Sequence, residues 1–222
     1  LLPFARIPTV LTIHDVVYIT HPEWHLPLNH YFLRLAMPIF AQRARAIIAV
    51  SGHTRREVID LLHVDPAKVH VVYEAADARF RPVREAEALA EVCERYRLRR
   101  PYILFVGAIE PRKNLPLLLH VFSYLCQDPA FQHQLVIAGG KGWLYDEIFA
   151  AIGELGLEKR VRVLGFVDDA DLPALYRGAD VFAFPSLYEG FGIPVLEAMG
   201  CGTPVVTSNV SSLPEVAGDA AL

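Results

Sequence analysis

The feature that most constrains this chain is a repeated exchange between two hydrophobic periods. Short apolar runs rich in β-branched and aromatic residues, such as Tyr102-Ile103-Leu104-Phe105-Val106, alternate with longer stretches whose apolar residues recur at helical spacing. Strands that are apolar on both faces need cover on both faces, and an intervening helix lets each new strand run parallel to the last. The alternation predicts an α/β fold built on doubly wound parallel sheets. Strands are expected at residues 9–13, 46–50 and 69–72 in a first part, and at 102–107, 134–138, 161–164, 181–184 and 204–207 in a second. Helices are expected at 28–45 and 54–62, then at 115–127, 144–155, 172–177 and 194–199. Residues 76–100 are charged (Arg84, Glu85, Glu87, Glu91, Glu94, Arg95) and read as a largely helical connection. The division implied is a first domain over 1–76, a connection over 77–100 and a second domain over 101–222. In such sheets ligands bind beyond the carboxyl ends of the strands, which singles out the loops 107–114, 139–143 and 185–194.

Composition excludes several classes. Of the 222 residues 53% are hydrophobic, ample for a core, and a net charge of −4 offers no broad attraction for nucleic acid. Cys93, Cys126 and Cys201 are odd in number and widely spaced, so they form no disulfide framework or paired metal motif and fit a reducing cytosol. The apolar stretch 31–50 carries Arg34, Arg43 and Arg45, so a packed helix followed by a strand is expected there, not a membrane span. The chain opens on Leu1-Leu2-Pro3 and closes on Gly218-Asp219-Ala220-Ala221-Leu222 without a finished element, so an interior piece of a longer protein, incomplete at both ends, is expected.

Two loops carry chemistry. Gly107-Ala108-Ile109-Glu110-Pro111-Arg112-Lys113-Asn114 joins a strand to a helix, with Asn114 expected as N-cap and Pro116 in the first turn. Unpaired N–H groups at a helix start, beside the cations of Arg112 and Lys113, suit a diphosphate; taken alone, an Arg-Lys pair fits an ordinary basic turn better. In Pro185-Ser186-Leu187-Tyr188-Glu189-Gly190-Phe191-Gly192-Ile193-Pro194, two glycines allow backbone to approach a ligand and Pro194 starts a helix. Glu189 in the loop and Glu197 one turn into the helix are expected to point toward one ligand, since a carboxylate can accept two hydroxyl hydrogen bonds, as in holding a ribose diol. A solvated helix face is the plain alternative for Glu197, disfavoured by its neighbours Val195, Leu196, Ala198 and Met199.

Glu189 and Glu197, with seven residues between them within Glu-Gly-Phe-Gly-Ile-Pro-Val-Leu-Glu-Ala, resemble the signature of the retaining GT-B glycosyltransferases of family GT4. The resemblance continues through Phe-Val-Gly-Ala-Ile-Glu-Pro-Arg-Lys-Asn-Leu (105–115), Ile-Ala-Gly-Gly-Lys-Gly-Trp (137–143), Gly-Phe-Val (165–167), Leu-Pro-Ala-Leu-Tyr-Arg-Gly-Ala-Asp (172–180), Thr-Ile-His-Asp (12–15), His-Pro-Glu-Trp (21–24) and Val-Ser-Gly-His-Thr-Arg-Arg-Glu (50–57). It implies two Rossmann-like domains and transfer of a sugar from a nucleoside-diphosphate sugar to a hydroxyl with retention, without metal or other cofactor. By the same resemblance Lys113 would hold the donor diphosphate, Glu197 the ribose hydroxyls, and Glu189 with Gly190, Phe191 and Gly192 the sugar and phosphate. The loop beginning at Gly107 would lie at the diphosphate, Gly165-Phe166-Val167 against the base, and His14 would reach the donor sugar from the acceptor domain. The partners implied are a nucleotide-sugar donor and a sugar or lipid-linked acceptor, in the cytoplasm, with peripheral contact at the inner face of the membrane left open.

Two departures stand out. Many members carry Arg directly after the glycine of the first loop; here that position is Ala108, and Arg112 is expected to supply the missing cation. Glu74-Ala75-Ala76-Asp77 stands where many read Asn-Gly-Val-Asp, which moves the chain toward mannosyl- or rhamnosyl-transferring enzymes of surface polysaccharides and suggests GDP-mannose. A sugar phosphorylase, a nucleotide-sugar epimerase and a non-catalytic nucleotide-sugar-binding module share the same features.

Other motifs read as structural. Asp169-Ala170-Asp171 has the form of a metal-binding Asp-x-Asp, but with Asp168 it precedes Leu172-Pro173 and fits N-cap and first-turn roles. His21 and His25 are interrupted by Pro22 and Pro27, which argues against a helix aligning them on a metal. Gly139-Gly140-Lys141-Gly142 lacks the Gly-Lys-Ser/Thr of a Walker loop; a flexible strand-end loop and a donor contact both fit it. No Gly-x-Gly-x-x-Gly follows a strand, which weighs against a dinucleotide oxidoreductase. His14 becomes a site candidate only by its place at a strand end beside Asp15. As an incomplete piece, residues 1–222 alone are expected to turn over poorly.

Overall fold

The computed structural model describes residues 7–24, 27–82, 86–140 and 145–222. His25, Arg84, Glu85, Lys141, Gly142 and Trp143, named above, lie outside the described residues, as do Leu1-Leu2-Pro3 and the expected helix start at 144. The chain divides into two units. One comprises Leu1–Glu74, Tyr188–Gly192 and Val210–Val216; the other comprises Ala75–Leu187, Ile193–Asn209 and Ala217–Leu222.

In the first unit β1 (Val10–Ile13), β2 (Ala46–Ala49) and β3 (Val69–Val71) pair in parallel in that order, with Val10 opposite Ala46 and Ile47 opposite Val69. Helices α1 (Val17–Thr20) and α2 (Pro27–Arg43) connect β1 to β2, and α3 (Gly52–Leu62) connects β2 to β3. Ile13, Ile47, Ala49, Val58, Leu62 and Val69 form the core. Helix α2 stops at Arg43, short of the expected residue 45, because the Arg45 N–H is drawn to the Thr9 carbonyl and the strand begins. Helix α3 starts two residues early: Ser51 is extended and its hydroxyl accepts the Thr54 N–H, while His63 in the left-handed region ends the helix.

The second unit holds β4 (Tyr102–Val106), β5 (Gln134–Ala138), β6 (Val161–Gly165), β7 (Val181–Phe184) and β8 (Val205–Thr207), all parallel in the order β6-β5-β4-β7-β8. The chain winds outward from β4 through β5 to β6, then returns to β7 on the other side. The order reverses between β4 and β7, so their carboxyl ends diverge and leave a crevice. Helices α5 (Leu115–Leu125), α6 (Tyr145–Glu154), α7 (Leu172–Gly178) and α8 (Ile193–Gly200) link the strands. Tyr102, Leu104, Phe105, Ile137, Phe182 and Phe184 are fully buried between them.

Residues 76–100 are less helical than expected. Among the described residues of this stretch only α4 (Ala86–Arg95) is an α-helix; before it the Phe80 N–H bonds to the Asp77 carbonyl in a turn, and buried Phe80 packs edge-on against Tyr176. The aspartates before α7 also differ from expectation. Asp168 accepts the Ala170 N–H in the preceding turn, and Asp169 pairs with Arg79 at 3.7 Å. Asp171 occupies the N-cap position but is helical in conformation and makes no side-chain cap. Its carboxylate instead takes hydrogen bonds from Arg95 at 2.6 and 2.7 Å and from the Tyr96 hydroxyl at 2.7 Å. Partners some 75 residues upstream won over the local cap.

Strand ends β4 and β5 meet at backbone level. A Cβ at Gly139 would lie 1.9 Å from the Gly107 carbonyl oxygen. Gly139→Ala should therefore lower stability by about 1–3 kcal/mol, the range for forcing extra volume into a filled site. Chemical denaturation of the two proteins checks this; equal midpoints would show that the loop gives way freely.

Candidate functional site

In the second unit, three strand ends on one side of the reversal are joined by backbone hydrogen bonds. Gly107 closes β4, and its N–H bonds to the Ala138 carbonyl; the Gly139 N–H bonds to the Gly165 carbonyl, so β4, β5 and β6 end in one linked row. A short 3-10 turn, Pro111–Lys113, follows β4. It buries Lys113, whose Nζ stands 4.8 Å from the centre of the Phe184 ring at the end of β7. Arg112 is turned toward Glu110, its Nε donating at 2.8 Å, and its backbone carbonyl accepts the Leu187 N–H from the loop after β7. Asn114 precedes α5 in the left-handed region at φ 54° and makes no side-chain cap; that conformation ends the 3-10 turn and carries its amide away from the helix N–H groups. Pro116 does occupy the first turn.

Glu197 lies on α8, which starts just past β7 as Pro194 implied. Its Oε2 accepts the Tyr176 hydroxyl at 2.7 Å, and Tyr176 is fully buried. Glu197 is no solvated face residue. Burial, then the Asp169 charge, raise its carboxyl above the usual 4.5, and the Tyr176 hydrogen bond and Arg79 offset only part of this. Tyr176 is pushed well up by burial first and by Glu197 second. Gly165 has φ +71°, Phe166 after it is 82% exposed and Val167 turns inward, so a flat aromatic face stands bare at the end of β6.

The first unit gathers His14, Glu189, Gly190, Phe191 and Gly192. His14 follows β1, with its Nδ1 3.0 Å from Glu74 Oε1. Gly190 lies against the His14 backbone: a Cβ there would sit 1.9 Å from the His14 carbonyl oxygen. Buried Thr54 donates its hydroxyl to the Gly190 carbonyl at 3.0 Å, with the His14 carbonyl at 3.3 Å. Glu189 is buried; its N–H donates to Ser211 Oγ, and Ser212 Oγ lies within donating distance of the Glu189 and Phe191 carbonyls at 2.8 and 2.7 Å. Gly192 takes φ +109° and Phe191 packs beside Tyr73. Tyr188 donates to Glu57, and burial, then that hydrogen bond, drive its hydroxyl far above the usual range.

Glu215 was invisible as a site residue in the sequence. Its carboxylate accepts the Gly52 and His53 N–H groups at 2.8 and 3.2 Å and the Tyr73 hydroxyl at 2.7 Å, capping α3 from far along the chain. Burial works to raise its pKa, but Tyr73, these two N–H groups and Arg56 together hold it below 4.5. Thr54, Glu57, Ser211 and Ser212 were equally unassigned, and only the match at 50–57 hinted at the first two. Among the described residues no three His, Cys, Asp or Glu side chains group as a metal site would require, and no helix is long and apolar enough to cross a membrane.

The sequence pattern of glycosyl transferases group 1 matches residues 94–221, and that of glycosyltransferase family 4 matches residues 1–80. The chain belongs to the glycosyl transferases group 1. It is similar to the O-antigen chain mannosyltransferase B of Escherichia coli, 38% identical over 222 residues that cover 100% of this chain and 58% of that protein. The MMP alpha-(1->4)-mannosyltransferase of Mycolicibacterium hassiacum is 30% identical over 221 residues, 95% of this chain and 50% of its own length. The crystal structure of Anabaena Alr3699/HepE in complex with UDP and glucose superposes with a TM-score of 0.78 at 26% identity, covering 95% of this chain and 55% of that one. The chain thus spans 50–58% of the length of these relatives, and its fold is of the GT-B type.

The two carboxylates should titrate on opposite sides of 4.5. Glu197, raised on folding, favours the native state only while protonated: that contribution is present below 4.5 and is lost as pH climbs through its raised value. Glu215, lowered on folding, contributes above 4.5 and loses its contribution as pH falls through its depressed value. Carboxyl-carbon NMR titration reads both directly, and denaturation across the same range should show Glu197→Gln gaining on wild type as pH rises. Titration of both groups at one ordinary value would refute the assignment.

Proposed function

We propose that this chain provides the nucleotide-sugar-binding part, and a portion of the acceptor-binding part, of a retaining glycosyltransferase that works without a divalent metal. The observation that carries the reading is the pairing, within one α/β unit, of a buried cation after β4 with a largely buried carboxylate after β7, at the reversal of strand order. A diphosphate suits Lys113 and a ribose diol suits Glu197. The exposed ring of Phe166 offers the base a stacking face. The UDP and glucose of Alr3699/HepE support a nucleotide-sugar donor, the mannosyltransferase relatives support mannose as the sugar, and the O-antigen relative supports an acceptor in surface-polysaccharide synthesis; GDP as the carrier is our own assignment. Free Cys93, Cys126 and Cys201 fit a cytoplasmic site.

The difficult step is breakage of the bond from the anomeric carbon to the diphosphate oxygen while that carbon becomes oxocarbenium-like. The acceptor hydroxyl bonds to the same carbon from the same face and passes its proton to the departing diphosphate oxygen. Negative charge grows on the departing phosphate, and Lys113, already desolvated and fixed, meets it without reorganisation. Arg112, turned to Glu110, tunes the turn that presents Lys113. His14 and Glu189 are assigned to the sugar.

Calorimetric titration of the full-length protein with GDP, UDP and ADP in excess EDTA tests the reading. One nucleotide should bind, and Glu197→Ala should abolish or greatly weaken that binding. Failure of all three, or a requirement for a divalent ion, would remove the assignment. Lys113→Ala should lower kcat by about 100- to 1,000-fold, some 3–4 kcal/mol, as for loss of other preorganised charge-stabilising groups; a loss under tenfold would relieve Lys113 of that role.

A further inference from the structure

We infer that Glu74 is a positioning residue for His14, fixing which imidazole nitrogen is presented to a sugar hydroxyl; this rests on the functional reading above. His14 Nδ1 stands 3.0 Å from Glu74 Oε1, yet the histidine side chain is 68% exposed. An exposed imidazole left to itself samples several rotamers and both neutral tautomers. A carboxylate at Nδ1 selects the form that carries its proton there, which leaves the Nε2 lone pair to accept a hydroxyl proton.

Both ends of the pair are anchored. The Val72 N–H continues the ladder past β3 to the Ala49 carbonyl, and Tyr73 then fixes the chain through its hydroxyl on Glu215 and its ring beside Phe191. Glu74 follows directly. On the histidine side, the backbone carbonyl is held between Thr54 and Gly190. The backbones are thus set independently, and the Glu74 carboxylate is what orients the ring.

Because its histidine is largely exposed, the pair contributes little to folding. Its consequence is the orientation of an imidazole, and that separates it experimentally from a structural role.

The experiment is a double-mutant cycle in the full-length protein, reading GDP release from GDP-mannose, GDP affinity by calorimetry and Tm. Glu74→Ala should lower kcat about 10- to 100-fold, the range for outer partners that orient histidines, with GDP affinity and Tm unchanged. Glu74→Gln, which keeps an acceptor oxygen for Nδ1–H, should restore most of the rate. Glu74→Ala should add no further loss in a His14→Ala background. An unchanged kcat in Glu74→Ala, additive losses in the double variant, or a joint fall of kcat, GDP affinity and Tm would each overturn the inference. Wild-type protein that neither binds GDP nor releases it from GDP-mannose would overturn the functional reading itself, and this inference with it; no variant is needed to see that outcome.

Discussion

Within the first unit, the loop Tyr188–Gly192 depends on the approach of the Gly190 backbone to the carbonyl of His14. No side chain fits between them, since even a Cβ would come within 1.9 Å of that oxygen. Once the two backbones are this close, a single buried hydroxyl can serve both. Ser51 accepts the Thr54 N–H as the cap of α3 and directs its own proton to Thr54 Oγ1, so the Thr54 proton is left for the carbonyls of Gly190 and His14. Ser211 and Ser212 satisfy Glu189 and Phe191 in the same way. A loop with these polar groups buried has few alternative conformations, because any shift would strand a donor or acceptor without water.

The second unit carries the opposite kind of arrangement, in which the chemistry is left electrostatically uneasy. Lys113 is buried beside an aromatic face, and Glu197 sits where burial disfavours its charge. Each placement gives up hydration that a folded protein could have kept. Groups optimised for stability alone would not be expected there. In the proposed reading, ribose hydroxyls would replace for Glu197 part of the water that burial removes. The Tyr176 hydroxyl offsets part of that loss in the meantime and holds the carboxylate in one orientation.

Secondary structure was legible because strand and helix announce themselves over short windows. Strands β5 and β7 match the expected residues at both ends, and each of the others differs by one residue at one end. Errors fall where a long-range partner decides. Residues 76–82 belong to a stretch read as largely helical but are captured by Phe80 docking on Tyr176, and Asp171 gives up a cap for Arg95 and Tyr96. Asn114 is a residue type that caps helices and also tolerates the left-handed region, and here the tight 3-10 turn claimed the second property. The expected site residues Lys113 and Glu197 stood out because their loops follow strand ends. Thr54, Glu57 and Glu215 did not, because nothing local distinguishes a hydroxyl or carboxylate that will meet a partner more than 130 residues away.

Those long separations bear on how the first unit is completed. Thr54 to Gly190, Glu57 to Tyr188, Gly52 to Glu215 and Tyr73 to Glu215 each join positions 131 to 163 residues apart. Closing such loops costs entropy that grows only slowly with length but must be met before any contact repays it. One hydrogen bond, at about 1 kcal/mol net, would not suffice; several acting on the same two short segments would. Glu215 is the most economical of them, because one carboxylate satisfies two N–H groups at the start of α3 and the Tyr73 hydroxyl together. The helix that Glu215 caps is the helix that carries Thr54, and the tyrosine it binds is the neighbour of Glu74. The same carboxylate therefore supports the backbone on both sides of His14, which explains why a residue remote from any ligand in sequence terms is hydrogen-bonded as heavily as one in the site.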